Sequence, residues 1–283
     1  MAHADTVPAH GQGFDAARFC ATYQRSVDDV FAFLTPAMQL ELARHCHGWR
    51  PGAMDFRAYF AASELRYAIA CESLHEHDGL STLCDVGGFF GVFALTLARL
   101  GYPIAMTEAL AYYSQAFTPL FRYLADNGVR IINYDPFGSA PPENDRFDTL
   151  TVMAVLEHYP HSLEIFMANV MHLLKPGGKI YIEVPNIAYW PKRRALLAGR
   201  TPLVPVSDIY RSAVPFIGHH HEFTLTELHE LARLAGLSPI AVRQYNYSFR
   251  GPFYKRLISD PLLCLMSVLP SMRECLAILA RRA

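Results

Sequence analysis

The apolar positions of the chain switch between two periods, and the switches divide it into elements. Residues 1 to about 13 are polar, with Gly and Pro, which predicts a frayed terminus. From Phe14 to Leu80 the period is helical. VFAFLTPAMQLELARHC is broken at Pro36, and FRAYFAASELRYAIACESL gives a further helix that HEHDG ends. STLCDVGGFFGVFALTLARL then changes character. It predicts a buried strand over Thr82–Val86, a turn at Gly87, Gly88 and Gly91, and a helix from about Phe90 to Leu100. Strand and helix alternate from there. Pro103–Ala109 is a second strand, ending on Glu108. In TPLFRYLADNG, Thr118 can be the N-cap, Pro119 takes the first helical position, and Asn127-Gly128 stops the helix. VRIINYDPF is a third strand with Asp135 at its end, and FDTLTVMAVLEH follows a Pro-rich loop as a fourth. Ser162 caps a helix to about Leu174, KPGG turns, and KIYIEVPN is a fifth strand.

Strands separated by helix-length segments predict an α/β fold, a parallel sheet with helices on both faces. Pro185 to Glu222 breaks the alternation with Pro, aromatics and His, and reads as a lid or insertion over the C-terminal edge of the sheet. Thr224-Leu-Thr-Glu227 is a capping-box sequence opening a helix to Ala235, with Gly236 at its end. PIAVRQYNYSF supplies one or two closing strands. The last stretch, YKRLISDPLLCLMSVLPSMRECLAILARRA, reads as apolar helix broken by Pro261 and Pro270. Two uses remain open for it: a docking or dimer helix, or a membrane-surface contact with a basic end at Arg281 and Arg282. No uninterrupted apolar run reaches the roughly 18–20 residues of a spanning helix. The organisation expected is a helical cover over 1–80, a core over 81–250 with the lid at 185–222, and a C-terminal helical segment over 251–283.

Composition narrows the class. The 283 residues suffice for one large α/β domain that needs no disulfide staple. Six scattered cysteines with no C-x-x-C pair suit a reducing compartment, and the N-terminus lacks a signal-peptide pattern, so a cytoplasmic, possibly membrane-peripheral, protein is expected. A net charge of −1 without a basic run disfavours nucleic acid as the main partner.

A strand running through a glycine turn into a helix makes a cradle for a phosphate or a nucleoside. Glycine lets the backbone approach the ligand, and the helix N-terminus offers free N–H groups. Glu108 lies about 20 residues beyond the turn, where an acid reaches a ribose diol. These two features alone also fit a nicotinamide dinucleotide site. The ordered set is more specific: DVGGFFG, Glu108, Asp135, FDTLTVMAVLEH, LLKPGGKIYIEVPN and HHHEFTLTELHELARLAGL. Over about residues 80 to 245 it resembles a class I S-adenosylmethionine-dependent methyltransferase of the ubiquinone-biosynthesis type. The resemblance implies a Rossmann-like sheet of seven mostly parallel strands. It implies S-adenosyl-L-methionine as cofactor, with Asp85 holding the amino group of the methionine tail, Gly87, Gly88 and Gly91 forming the turn, and Glu108 on the ribose. Asp135 would accept from the adenine, walled by Pro136 and Phe137, and Met153 and Ala154 would lie under the sulfonium. Phe89 departs from the usual pattern, which has glycine there, so its side chain must point away from the cofactor or fill space beside it.

Glu157-His158-Tyr159 follows the fourth strand, at the mouth where open α/β sheets bind ligands. His158 is a candidate general base, with Glu157 beside it; both could instead shape the pocket or cap the next helix. His219-His220-His221-Glu222 invites a metal reading, which we set aside because adjacent side chains point apart; His220 is the candidate catalytic member and His219 and His221 candidate substrate contacts, with an ordinary packing or loop role as the alternative for the run. Tyr159, Tyr189, Trp190, Tyr210 and Phe216 could wall a substrate or bury the insertion. His45, Cys46, His47, His75 and His77 read as surface or loop residues. The expected reaction is O-methylation of a small metabolite, sugar or lipid-linked precursor. N- or C-methylation on the same scaffold, or cofactor binding without turnover, are the alternatives.

Overall fold

The computed structural model describes residues 13–46, 55–77, 81–137, 146–214 and 216–283, with side chains undescribed at 43–46. The N-terminal tail before Gly13, the Pro-rich loop after Phe137, the helix stop at Asp78-Gly79 and the side chains of the His45–His47 group lie outside the described residues. Three helices come first: α1 (Ala16–Phe31), α2 (Pro36–Cys46) and α3 (Phe56–His75). Asp15 and Asp55 cap α1 and α3, each accepting from the N–H three residues on. The alternating region follows as β1 (Leu83–Val86), α4 (Val92–Arg99), β2 (Ile104–Glu108), α5 (Thr118–Asp126), β3 (Val129–Asn133), β4 (Phe147–Met153), α6 (Leu163–His172) and β5 (Leu174–Pro185). The segment 185–222 holds α7 (Trp190–Leu197) and α8 (Val206–Arg211). The chain closes with α9 (Leu225–Leu234), β6 (Leu237–Tyr245), α10 (Phe253–Ser259), α11 (Pro261–Met266) and β7 (Cys275–Arg282).

The seven strands form one sheet in the order β3-β2-β1-β4-β5-β7-β6, with β7 alone antiparallel to its neighbours. The expected mostly parallel sheet is therefore present. Its connectivity reverses between β1 and β4: the chain leaves β1 toward β2 and β3, and later leaves β4 toward β5. Such a switch point opens a crevice at the C-terminal ends of the strands, where ligands of open α/β sheets bind.

The C-terminal segment is corrected. Its last part is not helix but a strand between β5 and β6. Cys275, Ala277 and Leu279 enter the core under α1 and α3, while Leu276, Ile278 and Ala280 enter the core on the other face. A strand buried on both faces is a continuous apolar run, which periodicity cannot separate from a buried helix. Arg282 does not present a basic end to a partner: its guanidinium donates to the carbonyls of Met171 and Leu174. Smaller corrections follow the same lines. Thr118 is the first helical residue rather than the cap, because two short 3-10 turns lead into α5. KPGG is absorbed into β5, with Gly177 at a φ of +73°. The N-terminal helices pack directly on the sheet domain. Tyr67 on α3 stacks on Phe93 of α4 with centroids 4.7 Å apart, and Tyr23 and Phe60 share the core with Met106 and Tyr181 of the sheet.

Candidate active site

The turn between β1 and α4 is built as the glycines require. Gly87 and Gly91 have φ of +70° and +72°. A Cβ at Gly91 would sit 2.5 Å from Leu124 Cδ1, and one at Gly87 2.9 Å from Val155 Cγ2. Phe89 also occupies the left-handed region, with φ of +53°, at a cost of about 1–2 kcal/mol for a residue with a Cβ. Two contacts offset that strain. Its N–H donates to Glu108 Oε2 at 2.6 Å, and its ring stacks on Phe90 beside Phe56 and Phe60. The ring thus packs with the helical cover, and its backbone ties the turn to the end of β2. The hydroxyl of Tyr113 and the N–H of Ala109 also donate to Glu108, yet burial dominates and lifts its carboxyl to about 7.

Asp85 ends β1 one strand away. Thr151 donates its hydroxyl to Asp85 Oδ1 at 2.7 Å, and burial raises this carboxyl to about 7 as well. Among the described residues no cationic side chain is paired with either group. Asp135, just past β3, accepts from the Phe137 N–H at 2.8 Å and the Tyr112 hydroxyl at 3.4 Å. Pro136 is buried, and Phe137 packs on Tyr159 and Phe166. Asn133, which the sequence did not single out, accepts from the Leu110 N–H and fixes the chain after Glu108.

The end of β4 carries the second half of the site. Ala154, after Met153, has a φ of +54°, and a 3-10 turn over Leu156–His158 follows. Glu157 is 1% exposed, with Oε2 buried and without a hydrogen-bond partner. Desolvation lifts it to about 7 against the pull of His219. His158 Nδ1 lies 2.7 Å from the Ile217 carbonyl, which can only accept, so Nδ1 carries the proton and Nε2 keeps its lone pair. Burial, with His219 nearby, pushes His158 down to about 4 and keeps it neutral near pH 7. The ring of His219 is held between two carboxylates. Nδ1 lies 2.9 Å from Glu222 Oε1, and Nε2 lies 4.0 Å from Glu157 Oε1. Glu222 is held in turn by Lys192 from the lid, and its carboxyl lies below the usual range despite its burial because His219 and Lys192 face it.

The structure therefore selects one member of the histidine run. His219 joins Glu157 and His158, with ligand atoms all within 4.8 Å of one another, a grouping able to hold a metal ion. The run contributes one histidine and the turn after β4 the other two groups, which adjacency in sequence did not suggest. His220 is exposed; its N–H donates to the Glu157 carbonyl and its ring to the Phe216 carbonyl. His221 is exposed beside Glu227. Tyr159 is buried with its hydroxyl unpartnered, and Trp190 has its indole N–H in the same condition. Tyr189 is buried, while Tyr210 stands 88% exposed on α8.

One further group was not legible in the sequence. Glu183, on β5 opposite Met153 in the sheet register, is fully buried. Its Oε2 lies 3.0 Å from Nε of Arg66, which reaches down from α3. The Tyr59 hydroxyl accepts from Arg66 at 3.0 Å, and the Tyr247 ring lies 4.6 Å from its guanidinium carbon. Helical period shows only that Arg66 lies on a mostly apolar segment; the pairing crosses more than a hundred residues. Asn186 anchors the lid in a comparable way. Its side chain donates to the carbonyls of Ser271 and Arg273 and accepts from the Ala188 N–H.

A methyltransferase-domain family model matches residues 53–242. The ubiquinone biosynthesis O-methyltransferase of Rickettsia canadensis is 26% identical over 143 residues, covering 50% of this chain and 59% of the relative. That of Paracidovorax citrulli is 27% identical over 168 residues, covering 55% and 64%. The matches thus span less than two thirds of either relative. Among solved structures, the 1,6-didemethyltoxoflavin-N1-methyltransferase of Burkholderia thailandensis superposes with a TM-score of 0.52 at 17% identity, covering 98% of this chain and 94% of the other. Magnesium protoporphyrin IX methyltransferase from Synechocystis PCC 6803 gives 0.51 at 14% identity, over 83% and 91%. At such identities the structural likeness speaks to fold, and it agrees with the sheet order and switch point described above. Matched by the family model over more than half of its length, the chain belongs to the methyltransferase-domain family and carries the class I fold of S-adenosylmethionine-dependent methyltransferases.

Proposed function

We propose that the chain is an S-adenosylmethionine-dependent methyltransferase that methylates an oxygen of a small metabolite, sugar or lipid-linked acceptor. The observation that carries this reading is the pair Asp85 and Glu108. These are two desolvated carboxyls flanking one glycine turn at the switch point, and among the described residues neither is paired with a cationic side chain. The residues fit the cofactor. Asp85 suits an ammonium group and Glu108 a pair of ribose hydroxyls, and the turn between them keeps its tight path because a Cβ at Gly87, Gly88 or Gly91 would run into Val155, Met106 or Leu124. When bound, the cofactor supplies a sulfonium-activated methyl group and a neutral leaving thioether, so the chain need not provide an acid.

What the chain must provide is orientation and removal of the acceptor proton. Glu157, raised to about 7 by burial, is suited to take that proton near neutral pH. His158, pushed down to about 4, is the weaker base of the two. This shifts the emphasis of the sequence reading from His158 to Glu157. A second reading rests on the lone pairs that His158 and His219 turn from their backbone and carboxylate partners. With Glu157 they form a donor set for a divalent cation, which would activate the acceptor hydroxyl directly.

Transfer of an isotopically labelled methyl group into extract fractions identifies the acceptor and separates O- from N- or C-methylation. Calorimetry should give heat for S-adenosylmethionine and its demethylated product. No heat for either, with binding of a nicotinamide dinucleotide, would overturn the assignment. Chelator dialysis separates the two proton-removal readings: activity that persists supports the base, and activity restored only by added divalent ion supports the metal.

A further inference from the structure

We infer that the face formed by α7, α10 and α11 with the adjoining lid is a docking surface for an anionic lipid bilayer. The inference does not rest on the proposed reaction, since it is carried by exposed apolar side chains and the basic residues around them rather than by the groups assigned to methyl transfer. Residues 190–214 carry Lys192, Arg193, Arg194, Arg200 and Arg211 against Asp208 alone. Residues 250–270 carry Arg250, Lys255 and Arg256 against Asp260 alone. Eight of the 25 basic residues of the chain thus fall here with only two of its 26 acidic ones, although the whole chain has a net charge of −1. The two segments meet: α7 packs on α11, α11 on α10, and Arg194 pairs with Asp260 at 3.4 Å.

The same segments hold most of the large apolar side chains that the fold leaves exposed. Leu197 is 82% exposed at the end of α7, Val214 93% and Ile258 80%. On α10, Phe253, Tyr254, Leu257 and Ile258 are all exposed, at spacings that place them on one side of a short helix. On α11 and beyond, Leu262, Leu265 and Leu269 repeat at helical spacing and are exposed, while Leu263 and Cys264 turn inward. Exposed apolar tips ringed by Lys and Arg are the pattern of a peripheral membrane surface. No helix among the described residues is long and apolar enough to cross a membrane, so the mode is contact with one leaflet.

Charge decides the occupant. A two-fold dimer through this face would set its excess of basic residues against the same excess, and like charges across an interface are unfavourable. Anionic headgroups complement them, and each basic residue near such a surface is worth about a fivefold change in partition. Insertion of the apolar tips adds a component that salt does not screen.

The test is co-sedimentation of the full chain with vesicles of phosphatidylcholine, with and without phosphatidylglycerol. Binding is expected only with phosphatidylglycerol and should weaken with added salt. Leu197→Glu combined with Ile258→Glu should lower partition at least about tenfold. Ile165→Glu, at a 53% exposed site on α6, is the control and should leave binding unchanged. All three proteins should share one circular dichroism spectrum and one cofactor affinity, so that loss of vesicle binding is separate from loss of the active site. No binding to anionic vesicles, equal loss in the control, or a stable dimer that the double substitution dissolves would overturn the inference.

Discussion

Glu157→Gln is the perturbation that best separates a functional carboxylate from a structural one. Glu157 is 1% exposed, one oxygen is orphaned, and burial lifts its carboxyl from 4.5 to about 7. A folded-state value above the unfolded one means that the folded chain binds the extra proton between the two. The stability attached to this group is then full below about 4.5 and lost as pH rises through about 7. At about 1.4 kcal/mol per pH decade, the wild-type protein gives up about 3 kcal/mol across that window. Glutamine is isosteric with the protonated form and does not titrate. The variant should therefore match the wild type to within about 1 kcal/mol at pH 5 and exceed it by about 3 kcal/mol at pH 8. Urea unfolding at both pH values, in chelator and without ligand, measures the difference. Methyl transfer by the same variant should fall by about 100-fold or more if Glu157 takes the proton. A gain in stability with a loss of turnover is the signature of a site strained for function. A pH-independent difference, or a variant less stable at pH 8, would refute the reasoning.

Other outcomes follow from the same geometry. Glu108→Ala removes the acceptor of the Phe89 N–H and the proposed ribose contact, and calorimetry should show S-adenosylmethionine binding weakened by about 10- to 100-fold or more. Arg66→Ala leaves Glu183 charged and buried without its partner and should cost about 3–5 kcal/mol in urea unfolding, whereas Arg66→Met with Glu183→Leu should recover most of it. Deleting residues 275–283 removes the strand that joins β5 to β6 and should abolish cooperative unfolding by circular dichroism; a well-folded truncated protein would contradict the sheet order.

The fold was legible where local chemistry speaks alone. The period change at Ser81, the glycine turn, the capping box at Thr224 and the alternation of strands with helices all lie within short windows, and each survives in the structure. The capping box forms with both of its hydrogen bonds. Asp85, Glu108 and Glu157 were nameable because each stands at the end of a predicted strand, and strand ends are where such sheets gather their chemistry.

The last strand was not legible, since a segment buried on both faces carries no alternation to read. Its neighbours supply its hydrogen bonds, and they lie about 30 to 100 residues away. The same is true of the pairing of Arg66 with Glu183 and of the choice of His219 over His220. Local sequence determined the elements and the residue types at their ends, because backbone preference and periodicity act over a few positions. Tertiary structure alone decided which of those ends meet, because packing brings together side chains that chain distance does not relate.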